Sequence, residues 1–165
     1  MLLDLKTSEM KINVQRQMKA HTDVLWRYLS DFSNIYEFHP FLKRSRYVEG
    51  SCLTGIGTER ACYMLDGSFM KERVVEWEEG KFYTVELIES SLPIASARAT
   101  LGVSPIDKKI SRAYMHMEME TKYALLKPFF FFTFKYLVGP AILRGLDQAS
   151  LRERKAIAAY SGFSL

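Results

Sequence analysis

The chain has 165 residues, 48% of them apolar and 13% aromatic, with a formal charge of +4 at pH 7. That length fits one domain, residues 1–165, with a sizeable core, and 11 phenylalanines are more bulk than a plain sandwich core requires, which points to a lined cavity. Positive charge gathers at Lys43, Arg44 and Arg46 and at Arg152, Arg154 and Lys155; no aromatic interleaving accompanies either cluster, so both read as solvated surface and nucleic acid is not an expected partner.

In chain order, the stretch from Met1 to Met10 carries Asp4 and Glu9 and no apolar run of signal-peptide length, so a cytoplasmic location is expected. Residues 8–19 alternate through Met10, Ile12 and Val14 as a strand does. Thr22-Asp23 offers an N-cap for a helix carrying Val24, Leu25, Tyr28 and Leu29 at helical spacing. A second short helix, Asn34 to Phe38, is stopped by Pro40. From Leu42 to about Lys122 strand follows strand, and a final helical region fills 128–160. The most apolar window, Phe129 to Leu143, is interrupted by Lys135 and Gly139-Pro140 and is too short to span a bilayer. Cys52 and Cys62 lack metal-ligand spacing and read as reduced thiols.

The strand pairing can be predicted in detail. Asp66-Gly67 signals a two-residue hairpin loop, which places Tyr63 opposite Met70 and Ala61 opposite Glu72. A four-residue loop around Glu79-Gly80 sets Glu76 against Tyr83, Val74 against Val85 and Glu72 against Leu87. The other face then carries Arg60, Lys71, Arg73, Thr84 and Glu86, with Arg73 across from Glu86. With Pro105 to Lys109 as the last turn, Leu101 opposes Ala113, Ala99 opposes Met115 and Ala97 opposes Met117. A sheet with one charged and one apolar face must cover the apolar one, and only the C-terminal helix is long enough. The expected class is α+β.

Three stretches carry a family resemblance: D-V-L-W-R-Y-L-S-D-F-S-N-I-Y-E-F-H-P at 23–40, G-I-G-T-E-R-A at 55–61 with K-E-R-V-V-E-W at 71–77, and R-G-L-D-Q-A-S-L-R-E-R-K at 144–155. With the order strand, two short helices, six strands and long helix, the chain resembles the START-like (SRPBCC) superfamily, in its polyketide cyclase/dehydrase and lipid-transport branch. The resemblance implies a helix-grip fold, a curved antiparallel sheet of about seven strands wrapped around the C-terminal helix, with a cavity between them. It implies no fixed catalytic set, because the superfamily holds carriers, receptors and enzymes alike.

Glu72 is the first candidate site residue. The predicted register turns it inward between Ala61 and Leu87, where it could bind a ligand's hydroxyl or act with Tyr63 as an acid/base group, unless a cationic neighbour pairs it. Glu59 shares that face nearer the strand end. His39, in F-H-P-F beside Phe38, is the histidine placed near a ligand; His21 and His116 are scattered from it, so neither a metal site nor a triad is expected. Met115, Met117 and Met119 face Ala95, Ala97 and Ala99, a pairing that leaves space as readily as it fills it. The expected lining therefore comprises Phe38, His39, Ala61, Tyr63, Met70, Glu72, Val85, Leu87, Ala97, Ala99, Met115 and Met117 from the sheet side. Phe130, Phe134 and Leu137 form the facing helical stripe. Residues 128–138 serve as a lid, as a transient membrane contact or as ordinary burial. Beyond them Ile142, Leu146, Ala149, Ala156 and Tyr160 make a sheet-facing stripe that Glu153 interrupts without an evident reason.

These residues predict a binder or carrier of a hydrophobic small molecule, such as a lipid, isoprenoid or aromatic polyketide, with no cofactor. A cyclase or dehydratase acting on such a ligand through Glu72 and Tyr63 is the alternative, and an interaction module with a filled core the third.

Overall fold

The computed structural model describes residues 9–161; the readings that fall on Met1 to Ser8, including the absence of a leader and the first residue of the first strand, lie outside the described residues. Alternation builds the sheet. In β1 (Met10–Met18) Met10, Ile12 and Met18 are buried while Lys11, Asn13, Gln15 and Gln17 are exposed. After helix α1 (Thr22–Ser30) and a 3-10 turn (Ile35–Glu37) come β2 (Leu42–Tyr47), β3 (Glu59–Met64), β4 (Phe69–Glu78), β5 (Phe82–Ser90), β6 (Ile94–Pro105) and β7 (Ser111–Thr121). The seven strands form one antiparallel sheet in the order β1-β7-β6-β5-β4-β3-β2, so β2 to β7 run as a meander whose last strand returns to pair with β1.

Helix α1 starts one step earlier than the sequence suggests: His21 is its N-cap, with Nδ1 accepting from the Asp23 N–H at 3.4 Å. Leu25, Trp26 and Leu29 are its buried face. The second short helix reduces to the 3-10 turn, held at its start by the Asn34 amide donating to Asp31 at 2.8 Å.

The pairing of β3 with β4 differs from the expected one by a single residue. Leu65, Asp66 and Gly67 form a three-residue loop in which Gly67 takes the left-handed conformation at φ 88°. The Met64 N–H donates to Ser68 O at 2.8 Å, and Asp66 Oδ1 accepts from the Ser68 N–H at 2.9 Å. Cys62 therefore pairs with Met70 and Arg60 with Glu72. A one-residue slip turns every side chain of a strand to the other face, so Arg60 and Cys62 point inward while Ala61 and Tyr63 point outward. Glu59 also lies on the outer face, where it accepts from Arg73 at 2.6 Å.

Between β4 and β5 the expected pairs Glu72 with Leu87, Arg73 with Glu86 and Val74 with Val85 are present. The turn beyond them holds three residues, 79–81, instead of the expected four, and a bulge between Val74 and Glu76 takes up the difference, so that Glu76 meets Thr84 on the outer face and Trp77, not Glu76, meets Tyr83. Glu86 is paired with Arg98 at 2.6 Å rather than with Arg73. The β6–β7 turn occupies 106–110, closed by the Ile106 N–H donating to Ile110 O at 2.9 Å, so Leu101 faces Met115, Ala99 faces Met117 and Ala97 faces Met119. The shift from the expected register is two residues, which leaves the faces unchanged. Ala95 sits at a bulge and is exposed.

The helical region begins at a 3-10 turn (Ala124–Leu126), continues through α2 (Lys127–Phe132) and a π-helical segment (Thr133–Val138), and ends in α3 (Gly139–Ser161). The π segment carries the chain through Gly139-Pro140 without a break. The resulting helical stretch, Ala124 to Ser161, is by length and composition alone long and apolar enough to cross a membrane, unlike the shorter window the sequence offers. In this fold Ile142, Leu143 and Leu146 spend that apolar face on the sheet core. Gly145 lets the helix lie against the chain that follows the 3-10 turn, because a Cβ there would lie 2.0 Å from the Phe38 carbonyl oxygen. Glu153 has its reason: it pairs with Arg27 of α1. Past it the helix overruns the sheet, and Ala156 and Tyr160 are exposed instead of packed.

Candidate functional site

Between the apolar face of the sheet and the helices from α2 onward lies a cavity of about 380 Å³. Its walls come from the inward positions of β3 to β7 and from Phe130, Phe134, Val138 and Ile142. Those four recur every four residues along the helix. The expected stripe of Phe130, Phe134 and Leu137 assumed regular α spacing. The π segment, with its extra residue per turn, brings Val138 round in place of Leu137, which is 56% exposed.

Of the expected lining, His39, Met70, Glu72, Val85, Leu87, Ala97, Ala99, Met115, Met117, Phe130 and Phe134 face the cavity. Phe38 is buried in the core beneath α3. Ala61 sits between Arg46 and Lys71 in the register of the outer face. Tyr63 lies there too, with the Arg44 guanidinium 4.5 Å from its ring centre and Arg46 Nη2 donating to its hydroxyl at 3.0 Å. Tyr63 and Glu72 are therefore on opposite faces of the sheet and form no acid/base pair. The register error also hid residues that do line the cavity, chiefly Arg60 and Cys62, which Gly67 read as the left-handed third residue of the loop would have turned inward.

Arg60 and Glu72 are the charged centre of the site. Arg60 Nε donates to Glu72 Oε2 at 2.8 Å, Nη2 lies 2.8 Å from the same oxygen, and Nη1 donates to the Phe32 carbonyl at 3.3 Å. The guanidinium stacks 4.0 Å over the Phe32 ring. Its side chain is 3% exposed against 15% for Glu72. Burial works against the Arg60 charge, but the Glu72 carboxylate beside it more than offsets that, and the guanidinium pKa is raised. Burial pushes the Cys62 thiol up to about 12, so it is an inert apolar wall group rather than a nucleophile. Next to them Tyr83 packs edge-on to Phe32 at 5.6 Å and stacks on Trp77 at 5.9 Å. Its hydroxyl is buried without a hydrogen-bond partner among the described residues, and burial raises its pKa. Glu79 ties the two indoles together, accepting from Trp26 at 2.7 Å and from Trp77 at 2.9 Å, which closes that end of the core.

His39 lies in the cavity wall with Nδ1 accepting from the Phe41 N–H at 3.4 Å. Burial, and after it the Arg60 charge, lowers its pKa from 6.5 to about 4. The unfolded chain therefore takes up this proton before the fold does. The associated stability is complete above about pH 6.5 and drains away as pH falls toward 4, by up to about 3 kcal/mol. In urea titrations between pH 7 and 4.5 the parent should lose more stability than His39→Gln; parallel losses would show that other groups govern the acid limb.

A family model described as polyketide cyclase / dehydrase and lipid transport matches residues 9–152. No curated protein sequence matches the chain. Among solved structures, XoxI from Bacillus cereus superposes with a TM-score of 0.67 at 17% identity, over 86% of this chain and 95% of that one. Norcoclaurine synthase from Thalictrum flavum, in complex with dopamine and hydroxybenzaldehyde, does so at 0.68 and 18%, over 90% of each chain. An uncharacterised protein from Bacillus thuringiensis gives 0.67 and 16%, over 86% of this chain and 99% of its own. At such identities the likeness is one of fold, and that fold is the helix grip. With 144 consecutive residues matched by the family model, the chain belongs to the polyketide cyclase / dehydrase and lipid transport family.

Proposed function

We propose that this protein binds and carries a hydrophobic small molecule of lipid, isoprenoid or aromatic polyketide type, in the cytoplasm, within the cavity between sheet and helix. The observation that supports this most is the cavity itself: about 380 Å³ walled mainly by aliphatic, methionine and phenylalanine side chains. Burying roughly 300 Å² of apolar ligand surface contributes about 7 kcal/mol before the cost of immobilisation, enough for micromolar binding without an elaborate polar site. The cyclase or dehydratase alternative loses its acid/base pair, since Tyr63 lies across the sheet from Glu72 and Glu72 is bound to Arg60.

The rim of the cavity suggests how the cargo enters. Leu65, Leu92 and Phe129 line the mouth, and beside it Leu125, Phe132, Tyr136 and Leu137 are each more than half exposed. Between Glu120 and Asp147 the chain carries Lys122, Lys127, Lys135 and Arg144 and no acidic residue. An apolar ridge among cations complements an anionic phospholipid surface, on which the mouth would open directly into the acyl layer. Native mass spectrometry of protein purified from cells should show a retained hydrophobic passenger. Phe132→Glu should keep that capacity and lose binding to vesicles of mixed phosphatidylcholine and phosphatidylglycerol. Protein that emerges empty and takes up no apolar probe would rule the carrier out.

A further inference from the structure

Resting on the carrier reading, the chemistry of the cavity wall narrows the cargo. A carboxylate offers about four acceptor sites on two oxygens, and in Glu72 the Arg60 Nε and Nη2 both sit 2.8 Å from the one oxygen Oε2. Among the described residues Oε1 accepts no hydrogen bond, yet Glu72 faces the cavity and its side chain is only 15% exposed. Arg60 has no freedom to turn toward a ligand: Nε, Nη1 and Nη2 are each engaged and its face is stacked on Phe32. The polar groups of the β3–β4 turn at the mouth serve one another, Asp66 Oδ1 taking both the N–H and the hydroxyl of Ser68. Oε1 is thus a fixed, charged acceptor in a wall that is mostly hydrocarbon, with His39 and Thr133 as its remaining polar side chains. An apolar ligand that covers it strips its water and leaves it unsatisfied, whereas one that brings a donor satisfies it.

We propose that the cavity selects hydrophobic ligands that bear a hydroxyl group, and that this hydroxyl donates to Glu72 Oε1. The selected class is an alcohol or phenol on a hydrocarbon or aromatic body. Bare hydrocarbons and ethers forfeit the bond, and carboxylates of the same size meet a like charge that Arg60 screens only from behind. The site discriminates as protein sites built around a buried polar group do, by penalising the analogue that lacks its partner.

The test uses the whole chain and four probes of nearly one shape: 2-naphthol, naphthalene, 2-methoxynaphthalene and 2-naphthoate, by fluorescence titration at pH 7. In the parent, 2-naphthol should bind about tenfold tighter than naphthalene and 2-methoxynaphthalene, and 2-naphthoate should be the weakest. In Glu72→Gln the amide oxygen takes the place of Oε2 against Arg60 and the NH2 replaces Oε1, so the cavity loses its charged acceptor and the naphthol preference should shrink to about threefold or less while naphthalene is unchanged. If that variant does not fold, the ratio of naphthol to methoxynaphthalene in the parent decides alone. Equal affinity for those two overturns the proposal. So does tightest binding of 2-naphthoate, which would make Arg60 the reader. Failure of all four probes to bind would overturn the carrier reading along with it, whereas good binding of naphthalene with no gain for naphthol overturns the hydroxyl preference alone.

Discussion

Glu72→Leu should cost about 3–5 kcal/mol of unfolding free energy, more than any other single change in the cavity wall, because it strands a guanidinium that is 3% exposed. The reverse change is milder. Arg60→Met leaves a carboxylate that is 15% exposed and opens on a cavity water can reach, and about 2–3 kcal/mol is expected. Arg60 also gives up its stacking on Phe32 and its bond to the Phe32 carbonyl, which keeps the loss from being smaller. Joining the two changes removes both charges from a site whose neighbours are Phe32, Val85 and Leu87, and the double variant should return to within about 1–2 kcal/mol of the parent. Urea unfolding of the four proteins at pH 7, with slopes compared to confirm one cooperative transition, gives the coupling directly. A double variant no more stable than Glu72→Leu would mean that packing, not the ion pair, sets the cost.

That ion pair also shows how much of the site was legible in the sequence. Inward placement of Glu72 followed from the pairing with β5, although the turn holds three residues, 79–81, rather than four; the bulge at Val75 restores the offset, and Glu72 does face Leu87. Its partner was missed because Asp66-Gly67 reads equally as a two-residue loop or as the last two residues of a three-residue loop. Both satisfy glycine's left-handed conformation, and only the structure distinguishes them by the Met64–Ser68 bond. One residue of difference exchanged Arg60 and Cys62 for Ala61 and Tyr63. The β6–β7 error was twice as large and did no harm, since an even shift preserves the faces and Ala97, Ala99, Met115 and Met117 still meet around the cavity.

The helical wall was legible to the same depth. Apolar content placed Phe130 and Phe134 on the cavity, but a π segment has no composition of its own, and it displaced Leu137 in favour of Val138. Tyr160 was misjudged for another reason: periodicity says which side of a helix is apolar and nothing about where the sheet beneath it stops. Glu153 carried the contrary hint, a charge in the stripe at the point where α3 leaves the sheet and meets α1 through Arg27.

Ala99→Phe should abolish most ligand uptake without unfolding the chain. Ala99 lies in β6 between Val85 of β5 and Met117 of β7, 8% exposed, with its methyl on the cavity. A benzyl group there projects into the space a ligand would fill, and the nearest obstacle, Met117, is unbranched and adapts its rotamer. Losing about half of the 300 Å² a ligand would bury forfeits roughly 4 kcal/mol, so naphthalene affinity should fall about hundredfold or more. Stability moves the other way or scarcely at all, because the ring occupies void instead of overpacking; a loss beyond about 3 kcal/mol would mean the cavity is smaller than it looks. Tyr63→Phe is the matched control. It alters an aromatic side chain next to Cys62 in a strand of the wall but on the outer face under Arg44 and Arg46, and affinity should stay within about twofold. A folded Ala99→Phe that binds naphthalene as the parent does would place the ligand elsewhere. Loss of binding in Tyr63→Phe would instead bring the outer face of β3 into the site and undo the register on which Arg60, Cys62 and Glu72 share one cavity wall.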